Sequence, residues 1–310
     1  MSELAEKVRK SIERLRLFEP EEGYYLAFSG GTDSVCCKAL LDLSGCRYDS
    51  TYRVTTVDPP ELVRFIKTEH PDVTREIPRY DADYKNKNLA GKPITMWNLI
   101  PEKTMPPTRI IRFCCEYLKE SGGNGRVTVT GVRWAESTNR KNNQGAVVIH
   151  GDFREDKIEG QQGFFDDEEE DFVINKRHGS LILTNDNESN RRIVESCYRK
   201  RKTLVNPIIE WTDEDVWEFI HGNGIRYCSL YDEGRSRLGC IGCPMASQRE
   251  RDFRRWPKYK DSYLRAFDKM LELRLERHEK DPTRPVWRAG GQKNNPTAED
   301  VFNWWMEYEN

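Results

Sequence analysis

Apolar positions along this chain fall into two periods that take turns. Leu4, Val8, Ile12, Leu15 and Leu17 recur at helical spacing and predict an amphipathic N-terminal helix. The unbroken run Tyr24-Tyr25-Leu26-Ala27-Phe28 then predicts a strand at 24–29 that is buried on both faces. A helix at 34–43, a strand at Tyr52–Val57, a helix opened by Pro59-Pro60 and a short strand at Val73–Ile77 follow. The stretch to Thr108 is less regular; after it the pattern predicts a helix over Arg112–Lys119 and a strand over Arg126–Val132. Alternation of this kind predicts an α/β fold, a parallel twisted sheet with helices on both faces, whose ligands sit at the carboxyl ends of the strands.

Between Asn139 and Asn190 the periodicity weakens, with β-like pieces only at Ala146–Ile149 and Ser180–Leu183. This reads as an inserted hairpin or flexible excursion, not a second core. A helix resumes after Thr212, a good N-cap, with Asp213, Glu214 and Asp215 favouring its positive end. Helical spacing over Asp261–Lys280 and Ala298–Tyr308 predicts an appendage that packs on the rest or docks a partner through Phe302, Trp304 and Trp305. Trp211 and Trp217 read as core. The expected organisation is an N-terminal helix (1–19), a nucleotide-binding α/β domain (20–250) with an acidic insertion at about 140–190, and a helical C-terminal appendage (251–310).

Composition narrows the class. A chain of 310 residues can bury a sizeable core, and no apolar run approaches the roughly 18 residues that span a bilayer, so a cytoplasmic protein is expected. Nine cysteines are too few for a disulfide scaffold of this length, and their close pairing points to metal or redox use in a reducing compartment. The net charge of −2 is uneven: Glu155–Asp171 carries nine acids and one lysine, which leaves +6 on the remainder. Six basic residues lie in Arg191–Lys202 and six in Arg249–Lys260; such runs hold phosphates or form solvated helix faces.

Two segments carry chemistry. Ser29-Gly30-Gly31-Thr32-Asp33-Ser34 follows the first predicted strand and opens a helix. The glycines allow close backbone approach to an anion, the helix start aims amides and a positive dipole at it, and three hydroxyls add donors. Neither a Walker lysine nor a third dinucleotide glycine is present. The second signal is cysteine: Cys114-Cys115, then Cys240-Ile241-Gly242-Cys243. Four thiolates from two segments suit tetrahedral zinc or a cubane iron-sulfur cluster; spacing alone does not choose, although adjacent cysteines favour the cluster.

The Ser29–Ser34 loop resembles the S-G-G-x-D-S loop of the adenine-nucleotide alpha hydrolases and their ATP pyrophosphatase and sulfonucleotide-reductase relatives. Pro107–Lys119, Thr130–Ser137, Asn206–Trp217 and Arg237–Pro244, in that order, resemble the phosphoadenosine phosphosulfate (PAPS) reductase family over roughly 20–250. The resemblance implies Cys114, Cys115, Cys240 and Cys243 as ligands of a 4Fe-4S cluster, and Ser29, Gly30, Gly31, Thr32, Asp33 and Ser34 as the nucleotide loop for ATP with Mg2+, or alternatively for PAPS or adenylyl sulfate. Reductases of the family also share a Glu-Cys-Gly-Leu-His motif near the C-terminus, and no cysteine follows Cys243 here. The intact loop and the cysteine set together look most like the sulfur-transfer branch.

The implied reaction is adenylation of an acceptor by ATP and displacement of AMP by sulfur, the acceptor being nucleic acid and the donor a protein such as a cysteine desulfurase. Partner proteins or a homo-oligomer are expected, and no membrane. Asp33, Arg133 and Lys119 are the catalytic candidates. Asp33 would serve magnesium or the loop, Asp58 would contact nucleotide, and Arg133 and Arg140 would neutralise phosphate. Arg109, Arg112 and Lys119 would place positive charge between cluster and nucleotide. Each of these charges reads equally well as a structural ion pair. Alternatives are a reductase using Cys36, Cys37, Cys197, Cys228 or a partner's thiol, and a non-catalytic nucleotide or cluster sensor.

Overall fold

A computed structural model describes residues 2–153, 172–176, 178–287 and 296–308. The acidic run Glu155–Asp171 lies outside the described residues. The chain divides into two compact units, residues 1–52, 64–75 and 122–236 in the first and 53–63, 76–121 and 237–310 in the second.

The helix α1 (Glu3–Leu17) is capped by Ser2, whose side chain accepts from the Ala5 amide, and it buries Ser11, Arg14 and Leu15. Strands β1 (Tyr24–Ala27), β2 (Tyr48–Arg53), β3 (Thr74–Glu76), β4 (Val127–Val129), β5 (Val147–Ile149), β6 (Phe172–Ile174), β7 (Leu181–Leu183) and β8 (Thr203–Val205) form one sheet in the order β3-β2-β1-β4-β8-β5-β7-β6. The strands β2, β1, β4 and β8 are parallel, as the alternation of strands and helices predicts. Tyr24 and Leu26 of β1 and Val127 and Val129 of β4 are fully buried, the mark of strands covered on both faces.

The other half of the sheet departs from expectation. Of the two readings, hairpin or flexible excursion, the antiparallel pairs agree with the hairpin, but residues 147–149, 172–174 and 181–183 also extend the main sheet, β5 against β8 and β7, and β6 against β7. The side chains of β5 and β7 are all buried, so these three-residue pieces belong to the main core. The second strand also lies four residues earlier than its hydrophobic pattern suggests, at 48–53, because Ser50 and Thr51 are buried and polar.

The direction of strand addition reverses between β1 and β4, which makes the carboxyl ends of these two strands the switch point where open α/β sheets bind ligands. Helix α2 (Thr32–Ser44) leaves β1 there and packs against α1 and against α8 (Asp213–Gly222). Between these lie α3 (Pro60–Glu69), α4 (Met96–Lys103), α5 (Phe113–Leu118), α6 (Thr138–Asn143) and α7 (Glu188–Cys197). The helix α4, in the stretch that looked irregular, is set by a capping box between Thr95 and Asn98. The start of α8 is as expected: Thr212 and Asp215 form a reciprocal box.

In the second unit, α9 (Arg249–Arg255), α10 (Pro257–Lys280) and α11 (Ala298–Tyr308) pack with α4 around Phe253, Tyr263, Phe267 and Trp305. Trp305 is fully buried and donates to the Pro107 carbonyl at 2.7 Å, and Phe302 is buried beside it. These two rings are core and not a docking face; Trp304 is half-buried, edge-on to Trp287. Trp211 is core as expected, whereas Trp217 is half-buried.

His70, in the first unit, meets the rings of Phe28 and Phe65 at 4.8 and 5.1 Å, and its buried Nε2 has no hydrogen-bond partner among the described residues. Burial, then the nearby Lys38 charge, depresses its pKa. A depressed folded-state pKa favours the neutral ring, so stability falls as pH drops below about 6.5, where the unfolded chain's histidine takes up its proton. His70→Phe is expected to lose less melting temperature than the parent between about pH 7 and about pH 5. Parallel losses in the two proteins would show that the ring is not buried in this way.

Candidate functional site

The loop after β1 is tied to itself. The Ser34 hydroxyl donates to the Gly31 carbonyl at 2.9 Å and accepts from the Ser29 amide at 3.2 Å, while Ser29 Oγ and Ser34 Oγ are 3.2 Å apart. Gly30 takes the left-handed φ of +75° that glycine adopts without strain. Gly31 is the N-cap of α2, with no side chain to cap the helix, so the first turn presents its dipole to whatever lies outside. The Thr32 amide donates to Tyr231 Oη at 3.1 Å. Burial holds that phenol above its usual pKa, and it stays a neutral hydroxyl.

A second glycine completes the switch point. A Cβ on Gly131, just past β4, would lie 2.7 Å from Asp33 Cβ and 2.9 Å from the Asp33 carbonyl carbon. Thr130-Gly131-Val132-Arg133 therefore needs glycine so that the start of α2 can seat against β4. Arg133 is buried and bridges Asp33 at 2.9 Å and Asp213 at 2.7 Å, with a further bond to the Trp211 carbonyl. Burial opposes its charge, but the two carboxylates outweigh it and hold the guanidinium above its ordinary pKa. Arg140 is paired with Glu136, which also accepts from the Arg133 amide. The two arginines thus brace the loop from below through carboxylates. Asp33 is part of that bracing.

The cysteine set is assembled within the second unit. Cys114 and Cys115 lie in the first turn of α5, and the Cys243 amide donates to the Cys240 carbonyl at 3.1 Å, closing the Cys-x-x-Cys turn. Gly242 makes that turn at φ +72°. Arg109 Nε donates to the Pro244 carbonyl at 3.0 Å and ties the two cysteine segments together. Cys115 is pushed down to about 6, first by a hydrogen bond from Cys114 and then, against burial, by Lys119 and Arg112. Cys114 is raised by the same bond, by burial and by the sulfurs of Cys115, Cys240 and Cys243. Burial raises Cys240 to about 12, with Lys119 opposing.

Lys119 is exposed and is held protonated chiefly by Cys240, with Asp58, Cys115 and Cys243 contributing against desolvation. Asp58 is buried with Oδ1 3.7 Å from Cys240 Sγ, so the structure sets it against the cysteines. Among the described residues, no three His, Cys, Asp or Glu side chains converge closely enough to hold a single metal ion. The sequence reading missed Tyr231, Asp213 and Thr55. Tyr231 meets Thr32 from 199 residues away, and no local pattern signals such a contact.

The thiols considered as internal nucleophiles differ in access. Cys36, Cys37 and Cys228 are fully buried, and burial raises the pKa of Cys36 and Cys37, whereas Cys197 is half-buried at the end of α7. No helix among the described residues is long and apolar enough to cross a membrane.

Comparison with known proteins agrees with the order of motifs. A phosphoadenosine phosphosulfate reductase domain profile matches residues 23–246. An uncharacterized protein of Methanocaldococcus jannaschii is 34% identical over 96 residues, 30% of this chain and 22% of that protein. An adenosine 5'-phosphosulfate reductase of Anoxybacillus flavithermus is 39% identical over 54 residues, 17% of this chain and 23% of that enzyme. The match therefore spans less than a quarter of either relative's own length. A phosphoadenylyl-sulfate reductase from Candida auris, solved as a phosphate complex, aligns with 12% identity and a TM-score of 0.39 over 77% of this chain and 96% of that one. With its profile match covering well over half of the 310 residues, the chain belongs to the phosphoadenosine phosphosulfate reductase domain family.

Proposed function

We propose that the protein binds ATP with magnesium on the Ser29–Ser34 loop and adenylates an acceptor, of nucleic-acid type, for sulfur transfer that depends on a 4Fe-4S cluster. The carrying observation is the loop itself: serine hydroxyls, a left-handed Gly30 and a helix start with no capping side chain on its N-cap, gathered at the switch point of the sheet. Such a surface favours the charge that develops on a pyrophosphate leaving group. The Asp33–Arg133–Asp213 bridge keeps the loop in one geometry, so its dipoles need not reorganise during reaction. An acceptor oxygen would attack the α-phosphorus and release pyrophosphate; the terminal sulfur of a donor persulfide would then displace AMP to leave the acceptor joined to the donor through an S–S bond, which a second donor thiol would cleave, freeing the thiolated acceptor and leaving the donor as a disulfide.

The donor set fits the cluster better than a single zinc. Four thiolates on one zinc lie about 3.8 Å apart for bonds of about 2.3 Å, and no such convergence occurs among the described residues. A cubane instead holds its four thiolates on separate iron corners. When bound, the cluster would supply the site that accepts or relays sulfur. Cys114, Cys115, Cys240 and Cys243 would hold it, and Lys119 would offset their negative charge.

A sulfonucleotide reductase is the second reading, favoured by the relative named as an adenosine 5'-phosphosulfate reductase. Full burial of Cys36, Cys37 and Cys228 counts against an internal nucleophile at those positions. The test is anaerobic protein given ATP, PAPS or adenylyl sulfate, with AMP, pyrophosphate and sulfite scored separately. We expect AMP and pyrophosphate from ATP and about four irons per chain. Sulfite released from PAPS or adenylyl sulfate in the presence of thioredoxin would replace this reading with the reductase.

A further inference from the structure

We propose that Thr55 is a positioning residue for Cys240, donating its hydroxyl proton to that sulfur and fixing the direction from which Cys240 meets a metal cluster; this rests on the cluster reading above. Thr55 is buried, 1% exposed, in the turn Thr55-Thr56-Val57-Asp58 just past β2. Its Oγ1 accepts from the Val57 amide at 3.2 Å and lies 3.7 Å from Cys240 Sγ. A hydroxyl has one proton to give. With a lone pair committed to Val57, and no other acceptor bonded to that proton among the described residues, the sulfur is where it can go. While Cys240 is a thiol, its S–H can donate to Thr55 Oγ1 or to Asp58 Oδ1; a metal-bound sulfur has no proton and becomes purely an acceptor, which turns the bond with Thr55 around.

The turn is built to hold that hydroxyl still. Thr56 is a β-branched residue at φ +67°, a conformation that persists only where the surroundings impose it. Its own hydroxyl accepts from the Met96 amide at 3.1 Å, at the start of α4. The Val57 carbonyl accepts from the Ile241 amide at 2.7 Å, inside the Cys-x-x-Cys turn, and the Asp58 carbonyl accepts from Tyr259 Oη at 3.1 Å. Asp58 Oδ2 accepts from the Thr55 amide at 3.4 Å. Strain stored beside one cysteine, and bonds from three different segments that maintain it, mark the turn as a support for the ligand, in the way outer residues orient ligands around metals generally.

Hydrogen bonding to a thiolate weakens its bond to iron, so the effect is readable by spectroscopy. Iron and acid-labile sulfide are first measured in anaerobically purified parent protein, and resonance Raman spectra are then compared for the parent and for Thr55→Val, Thr55→Ala and Thr55→Ser. Thr55→Val and Thr55→Ala are expected to raise the iron–cysteine stretching frequencies and, because Cys240 is no longer held in one direction, to lose the cluster to a chelator roughly tenfold faster. Thr55→Ser, which keeps the hydroxyl, is expected to match the parent on both counts. The alanine variant adds no bulk, so the comparison survives if valine prevents folding. Iron-loaded valine and alanine variants with the parent's spectrum and rate would overturn the role of Thr55 alone, as would a serine variant as impaired as alanine. Parent protein without iron or sulfide would overturn the cluster reading itself.

Discussion

Gly242→Val is expected to lower the stability of the second unit by about 2–5 kcal/mol, the sum of two separate penalties. The first is conformational: at φ +72° an L side chain costs roughly 1–2 kcal/mol. The second is steric, because a Cβ there would stand 2.6 Å from Phe253 Cζ and 3.2 Å from Trp305 Cη2. Neither ring can yield cheaply. Phe253 packs edge-on to Tyr263 at 5.8 Å, and Trp305 is fixed by Tyr263 at 4.9 Å and by its bond to Pro107. Overpacking of this kind adds about 1–3 kcal/mol. The thermal midpoint should fall by roughly 5–15 °C in a domain of this size, and the cysteine turn should loosen with it. A variant melting within about 2 °C of the parent would show that the rings do not close over Gly242.

Gly242 was legible in the sequence as a punctuation mark in a Cys-x-x-Cys turn, but its reason was not, since Phe253 and Trp305 come from elsewhere in the chain. The same boundary runs through the whole molecule. Features that depend on neighbours in sequence could be read directly: the strand before Ser29, the α2 start, the Thr212 cap and the paired cysteines. Features that depend on partners far away could not. Nothing near Arg133 in sequence shows Asp33 and Asp213 closing on it. Nor does anything near Asp58 in sequence show that Cys240 lies beside it. The pieces that became β5 and β7 could be read as β-like, but β6 and the joining of all three to the main sheet escaped for a different reason. A three-residue strand carries little more than one period of alternation, so only pairing with β8 gives β5 its place in the sheet.

Gly31→Ala is expected to do the opposite of Gly242→Val, leaving the fold nearly unchanged while removing nucleotide binding. The backbone of Gly31 is extended, not left-handed, so alanine adopts it freely. Its Cβ would find only Tyr231 Oη at 3.4 Å and Ser29 Oγ at 3.5 Å, ordinary van der Waals contacts, and stability should change by less than about 1 kcal/mol. Nothing inside the protein therefore demands glycine at this position, in contrast to Gly131, where the body of α2 fills the space. A residue that packing would let vary, at the N-cap of α2, is what the proposed binding of a nucleotide phosphate close to the backbone requires. Calorimetric titration with Mg-ATP should show affinity at least roughly tenfold weaker in Gly31→Ala, about 1.4 kcal/mol, and weaker still in Gly31→Val. Melting curves run beside it separate this from unfolding. If alanine melts with the parent and binds ATP as tightly, the nucleotide does not sit on this loop, and the adenylation reading fails with it.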